Sequence, residues 1–363
     1  MVKTALIQPL PIAKGAGIPL FFIIGRPRSG TTLLRLLFEA HPHVTIPPES
    51  PFILSLYKKY GKITRWDEAV IREYCEDVFK QRYFEKWLIR KDELLKHLME
   101  SAGESTYQNI VKKTCLAYKS VYDKQEIRLI GDKNPGYSLY ISRIHKIFPE
   151  AKIIHITRDY RDNYLSLINV NFEVPIVPLV VYRWKFALHQ AWNLKKQHPD
   201  LISSIKYEDL AADPEKHFRE LCRFMDIGYD PSVMSFHEKK SEVEKAYTGS
   251  TEIGVIHKSL MNPISTQRMN LWKTQMSPRD IRIADLVAGK SAEKAGYKRE
   301  FSKFSLFLYL WVLPTLIYGW GMYRLLLLGD FLPYRLRNSF IRLLGIFLKF
   351  YWKINKRKVK PLT

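Results

Sequence analysis

Residues 21–32 read FFIIGRPRSGTT, and they restrict the fold more than any other stretch of the chain. An apolar run closes on Gly25, Gly30 follows after four residues, and Thr31 and Thr32 open an apolar segment with helical spacing. This is a strand buried on both faces that turns sharply into a helix. Turns of this kind cradle phosphate with backbone N–H groups and a helix N-terminus. A nucleoside-triphosphate loop carries lysine after its second glycine, whereas Thr31 stands there in this chain and the positive charge sits earlier, at Arg26 and Arg28. The expected ligand is an anionic nucleotide other than an ordinary triphosphate. The N–H groups of Ser29, Gly30, Thr31 and Thr32, with the Arg28 side chain, would hold its phosphate. Arg26 either shares that task or faces solvent.

A second segment, AKIIHITRDYRDNYLSL from Ala151 to Leu167, repeats the strand–turn–helix layout. Its apolar run Ile153–Thr157 ends in Arg158, and Ser166 follows on the next helix. That pair is placed to meet a second phosphate. Arg161 has acids beside it at Asp159 and Asp162, so pairing within its own helix is the simpler role. Two anion sites after two strands point to one ligand with two separated anionic groups.

The motifs GRPRSGTTLLR and TRDYRDNYLS, in this order, resemble the sulfotransferases that use 3′-phosphoadenosine 5′-phosphosulfate (PAPS). Gly131-Asp132-Lys133-Asn134-Pro135 and the stretch from His41-Pro42 to Glu49 are similar to the branch containing tyrosylprotein sulfotransferases and related bacterial-type enzymes. The resemblance covers roughly residues 20–297. It implies that the first loop holds the 5′-phosphosulfate and that Arg158 and Ser166 hold the 3′-phosphate. It also implies that Glu49 is the general base and that Tyr207 lies near the nucleotide. In the cytosolic small-molecule enzymes a histidine is the base, which leaves His41, His43 and His155 as weaker candidates. Lys133, beyond the strand expected over 127–131, would neutralise the leaving bridge oxygen. No set of carboxylates demands a metal. A family lysine before a proline is replaced here by Asn262; Lys258 or Arg268 are the substitutes to consider.

Strands alternating with helices predict an α/β fold: a P-loop-like three-layer α/β/α domain with a central parallel sheet. Ligands of such sheets bind at the carboxyl ends of the strands, where both arginine motifs fall. Expected strands are Leu20–Ile24, Val44–Ile46, Ile127–Gly131, Ile153–Thr157 and Leu201–Tyr207. Helices are expected over Thr31–Ala40, Gly136–Phe148, Val177–Gln197 and from Pro214 to Met225. Residues 50–122 read as mostly helical, and 239–273 as a loop over the nucleotide. The domain organisation is a tail over 1–18, a sulfotransferase domain over 19–298 and a membrane-associated segment over 299–363.

That last assignment rests on charge and hydropathy. Net charge is +22, and residues 298–363 hold thirteen Lys/Arg against two acids. Phe304–Tyr323 is uncharged for twenty residues, long enough to cross a bilayer as a helix, although Pro314, Gly319 and Gly321 interrupt it. Beyond it, Arg335, Arg342, Lys349 and Lys356 recur every seven residues among large apolar side chains, the pattern of an interfacial helix. Basic residues alternating with apolar ones favour a membrane surface over nucleic acid. A single crossing would separate two basic parts, against the positive-inside tendency. A re-entrant or in-plane arrangement, with the catalytic domain on the cytoplasmic side, is therefore expected. A lone spanning helix and an apolar dimer interface remain as alternatives. Three scattered cysteines and no secretory signal at the N-terminus suit a reducing setting.

The function expected is transfer of a sulfuryl group from PAPS to an acceptor hydroxyl on a membrane-held lipid, glycolipid, glycan or protein tyrosine. A phosphate-loop kinase is the competing enzyme class, and the missing loop lysine and the Arg158–Ser166 pair weigh against it. A non-catalytic membrane adaptor that keeps the nucleotide fold is the third reading.

Overall fold

The computed structural model describes residues 17–168, 170, 173–239, 264–329, 332, 336 and 339. Five parallel strands form the central sheet: β1 (Leu20–Gly25), β2 (Val44–Thr45), β5 (Leu129–Lys133), β6 (Ile153–Thr157) and β7 (Ile202–Lys206), in the order β2-β5-β1-β6-β7. β3 (Arg65–Trp66) and β4 (Gly103–Glu104) make a small antiparallel pair. β1 is central and fully buried, so its side chains alternate between two cores. Phe22 and Ile24 join the core beneath the helices of residues 52–116. Phe21 and Ile23 join the core under the helices Thr31–Ala40 and Pro214–Phe224. A strand buried on both faces has no room for alternating polar residues, which is why β1 reads as an unbroken apolar run.

The chain moves from β1 to one side of the sheet for β2 and β5, then returns across β1 for β6 and β7. The strand order reverses at β1 and β6, and in open sheets of this kind the ligand crevice lies at the carboxyl ends of such strands. Gly25 closes β1 against its neighbour: a Cβ there would lie 2.3 Å from the Ile156 carbonyl oxygen.

Several elements differ from their sequence-based bounds. The third long strand runs through Asp132 and Lys133, because β1 continues to pair with it up to Ile23↔Lys133. Tyr207 does not end a strand; it begins the helix Tyr207–Ala212, with Glu208 and Asp209 in the first turn. Gly136–Phe148 is divided into a 3-10 turn, Pro135–Leu139, and the helix Ile141–Ile147. The C-terminal helix Leu306–Leu328 is continuous despite Pro314, Gly319 and Gly321. Gly319 serves packing there: a Cβ would meet the Tyr182 ring at 2.9 Å on the helix Val177–Gln197. Tyr323 stacks on Phe186 of the same helix, centroids 4.6 Å apart and planes 9° apart. Of the basic tail after Leu332, only Leu336 and Ser339 are among the described residues.

Candidate active site

The turn between β1 and the helix Thr31–Ala40 holds Arg28 at φ 68° and Gly30 at φ 96°. Left-handed backbone at a non-glycine residue is uncommon and carries strain. It turns successive N–H groups toward one concavity. No side chain caps this helix, and its first turn contains no acid, so the positive end is open to an anion. Asn163 secures the turn, donating from Nδ2 to the Pro27 carbonyl (2.8 Å) and to Ser29 Oγ (3.2 Å).

The two arginine motifs meet directly. Arg28 Nε donates to Ser166 Oγ at 3.0 Å. Arg158 Nη1 donates to the Arg28 carbonyl at 3.2 Å, and its Nη2 donates to the Arg268 carbonyl. The Arg158 guanidinium also lies over the Tyr207 ring, 4.8 Å from its centroid. Tyr207 packs beneath Gly30, whose hypothetical Cβ would approach the ring to 2.7 Å. Burial pushes the Arg28 guanidinium down to about 10, and the charges of Arg268 and Arg158 push the same way. Three guanidinium groups gathered at one helix start are a donor set suited to an anion. The residues present fit a nucleotide with two anionic groups.

Arg268 reaches this cluster because Asp162 fixes the segment that follows it, accepting from the N–H groups of Asn270 (2.7 Å) and Trp272 (2.9 Å). Lys258 and Asn262 lie outside the described residues. Arg161 is a strut: it is 2% exposed and makes a forked contact with Asp159 (3.0 and 2.7 Å). It also lies 3.5 Å from Asp285 and 3.5 Å from the Trp272 ring centroid. Arg26 is buried, not solvent-facing, and pairs with Glu173 at 2.7 Å; Arg183 holds the same carboxylate.

The second half of the crevice lies at the end of β5. Lys133 Nζ donates to Glu49 Oε2 at 2.8 Å, with the lysine side chain 7% and the glutamate 32% exposed. Glu49 lies in the irregular chain between β2 and the helix Phe52–Tyr60. Its approach is clamped: Arg35 donates to the carbonyls of Ile46 and Pro47 (3.1 Å each), Glu39 accepts from Ile46 N–H, and Trp87 donates to the Pro48 carbonyl (2.8 Å). Asp132, next to Lys133, is 5% exposed and has an unpartnered carboxylate oxygen. Burial and then the Glu49 charge push its carboxyl up to about 8, while Lys133 opposes them. Lys86 lies within electrostatic reach of both Glu49 and Lys133, its ammonium 3.9 Å from the Tyr83 ring centroid.

The candidate histidines are engaged elsewhere. His41 contacts the Gly228 carbonyl (2.8 Å) and His43 the Glu126 carbonyl (2.9 Å), beyond the helix end opposite the phosphate turn. His155 is buried inside β6 and pushed down to about 4 by that burial. Asn163 lies within the second motif without being singled out there, and no motif marks Glu173, Arg183 or Lys86. Asp162 was visible only as a possible partner of Arg161.

Known proteins share this sequence pattern and fold. Protein-tyrosine sulfotransferase 1 of Danio rerio is 24% identical over 311 residues, spanning 82% of this chain and 77% of its own length. Protein-tyrosine sulfotransferase 1 of Homo sapiens is 25% identical over 296 residues, spanning 77% of this chain and 70% of its own. The solved sulfotransferase domain of the Synechococcus PCC 7002 olefin synthase shares the fold, with a TM-score of 0.51 and 19% identity over 80% of this chain and 98% of that domain. The model of the sulfotransferase family matches residues 19–231, which include both arginine turns, Glu49 and Lys133. A match over more than half of the chain is decisive, and the chain belongs to the sulfotransferase family.

Proposed function

We propose that this chain moves the sulfuryl group of PAPS to an acceptor hydroxyl, with Glu49 as general base and Lys133 and Arg28 as the charge-stabilising cations. The observation that carries this reading is the arginine-flanked, uncapped helix start beside a carboxylate–ammonium pair at the ends of neighbouring strands. Ser29, Gly30, Thr31 and Thr32 hold the 5′ anion with Arg28, while Arg158 and Ser166 hold the 3′-phosphate against Tyr207. Bound PAPS supplies the activated sulfuryl group. Glu49 takes the acceptor proton as the new S–O bond forms. Lys133 holds the negative charge that develops on the bridging oxygen, and Arg28 and the loop N–H groups hold that on the sulfuryl oxygens. The Glu49–Lys133 contact holds the carboxylate and the ammonium side by side at the end of β5.

The same reading puts the chain on the cytoplasmic side of a membrane, held by its C-terminal residues, with an acceptor that is itself membrane-held. Its support is the one helix among the described residues that is long and apolar enough to cross a bilayer, followed by a basic tail.

The test is incubation of the full chain with ³⁵S-labelled PAPS and a membrane extract, followed by identification of the labelled product. Glu49→Gln should lower turnover about 10²–10⁴-fold and keep the affinity for adenosine 3′,5′-bisphosphate. Equal affinity for nucleotides with and without the 3′-phosphate, or magnesium-dependent ATP turnover in place of transfer, would overturn the reading.

A further inference from the structure

The C-terminal helix Leu306–Leu328 carries apolar side chains all around, and packing consumes only one side of it. Val312, Gly319, Met322 and Tyr323 are buried on that side. The opposite side bears Phe307 (82% exposed), Leu310 (55%) and Ile317 (59%), with Trp311 (51%) and Trp320 (55%) on its two flanks. A row of this size on a chain's surface marks an interaction face. The partner helix Val177–Gln197 carries Arg183, Lys185, Lys195 and Lys196 and cannot follow into hydrocarbon. A perpendicular crossing would drag it there, because the contact runs along the C-terminal helix from Val312 to Tyr323.

The rim of the exposed row is cationic. Arg279 lies over the Trp311 ring (4.9 Å), Arg324 lies over the Trp320 ring (5.6 Å), and Lys303 precedes the helix. Residues 331–363 then add nine Lys/Arg and no acid. Tryptophan with arginine at the edge of an apolar band suits the headgroup level of a bilayer, and the charge suits anionic lipid.

We infer that the C-terminal helix lies in the plane of an anionic lipid surface, submerged on its outer side only, and does not cross the bilayer. This deepens the membrane reading above and rests on it. Lys58, on the helix that follows Glu49, donates to the Leu332 carbonyl at the far end of the submerged element. The Glu49 side of the crevice is thereby tied to the lipid surface, where a hydroxyl on an amphiphile is presented.

The test uses the full chain and vesicles of phosphatidylcholine with or without phosphatidylserine. Flotation should require phosphatidylserine, and Phe307→Glu with Leu310→Glu should weaken it at least tenfold while nucleotide affinity is unchanged. Depth follows from quenching by lipids brominated at shallow or deep positions, read as the difference each of Trp311→Phe and Trp320→Phe makes. The in-plane arrangement gives both tryptophans the same depth. A crossing helix would separate them by about 14 Å at 1.5 Å per residue, and unequal quenching would overturn the inference. Failure to float, or flotation indifferent to the double variant, would overturn it as well. If a dimer in solution is lost in the double variant and vesicles are ignored, the face belongs to a second copy. Sulfuryl transfer is scored separately with labelled PAPS, so failure of the parent chain to float with transfer intact refutes the docking and leaves the reaction standing.

Discussion

Replacing Lys133 by methionine removes an ammonium and keeps the side-chain stem that packs at the end of β5. Two consequences have different sizes. In the resting protein the change breaks one 2.8 Å contact with a glutamate that is 32% exposed. Water re-solvates that carboxylate, so folding stability changes by about 1 kcal/mol or less, or about 1–2 °C in Tm at most. During the reaction, a preorganised cation at a developing charge is worth ~2.7–4 kcal/mol in a water-poor site. Turnover of Lys133→Met should therefore fall about 10²–10³-fold. Donor affinity should barely move, because the arginine cluster and the helix start hold the nucleotide. The assay pairs single-turnover transfer of ³⁵S with calorimetric titration of adenosine 3′,5′-bisphosphate. Turnover within threefold of the parent, or a nucleotide affinity that falls in step with turnover, would refute the role given to Lys133.

Gly30→Ala places a Cβ 2.7 Å from the Tyr207 ring at φ 96°. Backbone strain of ~1–2 kcal/mol and overpacking of ~1–3 kcal/mol should lower both Tm and nucleotide affinity, read by thermal unfolding and titration. Asp132 is raised in the folded chain to about 8 from an ordinary 3.8. The folded state thus binds the extra proton between those values, and stability falls as pH rises through that window, by at most about 1.4 kcal/mol per pH unit. Urea unfolding of Asp132→Asn should be flatter between pH 5 and pH 8 than that of the parent. Arg161→Met strands Asp159 and the fully buried Asp285. A loss of about 3–5 kcal/mol is expected, measured by chemical denaturation.

The parts of the fold legible in the sequence are those fixed by local physics. β1, β6, and the helices Thr31–Ala40 and Val177–Gln197 are apolar runs or periodic stretches bounded by glycine or polar turns. Asp213 and Pro214 mark their helix start as a capping residue and a first-turn proline do, with Asp213 accepting from Lys216 N–H at 3.1 Å. β5 was cut short because its last residues are charged, yet β1 pairs with it through Lys133. A pattern reader sees Asp132 and Lys133 as turn residues; a buried strand end at a ligand crevice is where charged residues are tolerated. The hydrogen bond of Arg28 with Ser166 was not legible, because the motifs assign the two residues to different ends of the ligand. Nor was the Arg26 pair: its partner Glu173 is 147 residues away, and no local spacing announces it. Pro314 and the two glycines argued for interruption because propensity is local, while the contact of Gly319 with Tyr182 is tertiary.

Tyr323 and Gly319 pack against Leu179, Tyr182 and Phe186 of the helix Val177–Gln197. During synthesis those side chains emerge long before the residues that shield them, so the body cannot finish folding in the order it is made. The nascent protein must keep a sticky seam guarded until the helix Leu306–Leu328 arrives. A chain cut after Lys298 would carry that seam permanently and should precipitate rather than yield a free-standing catalyst.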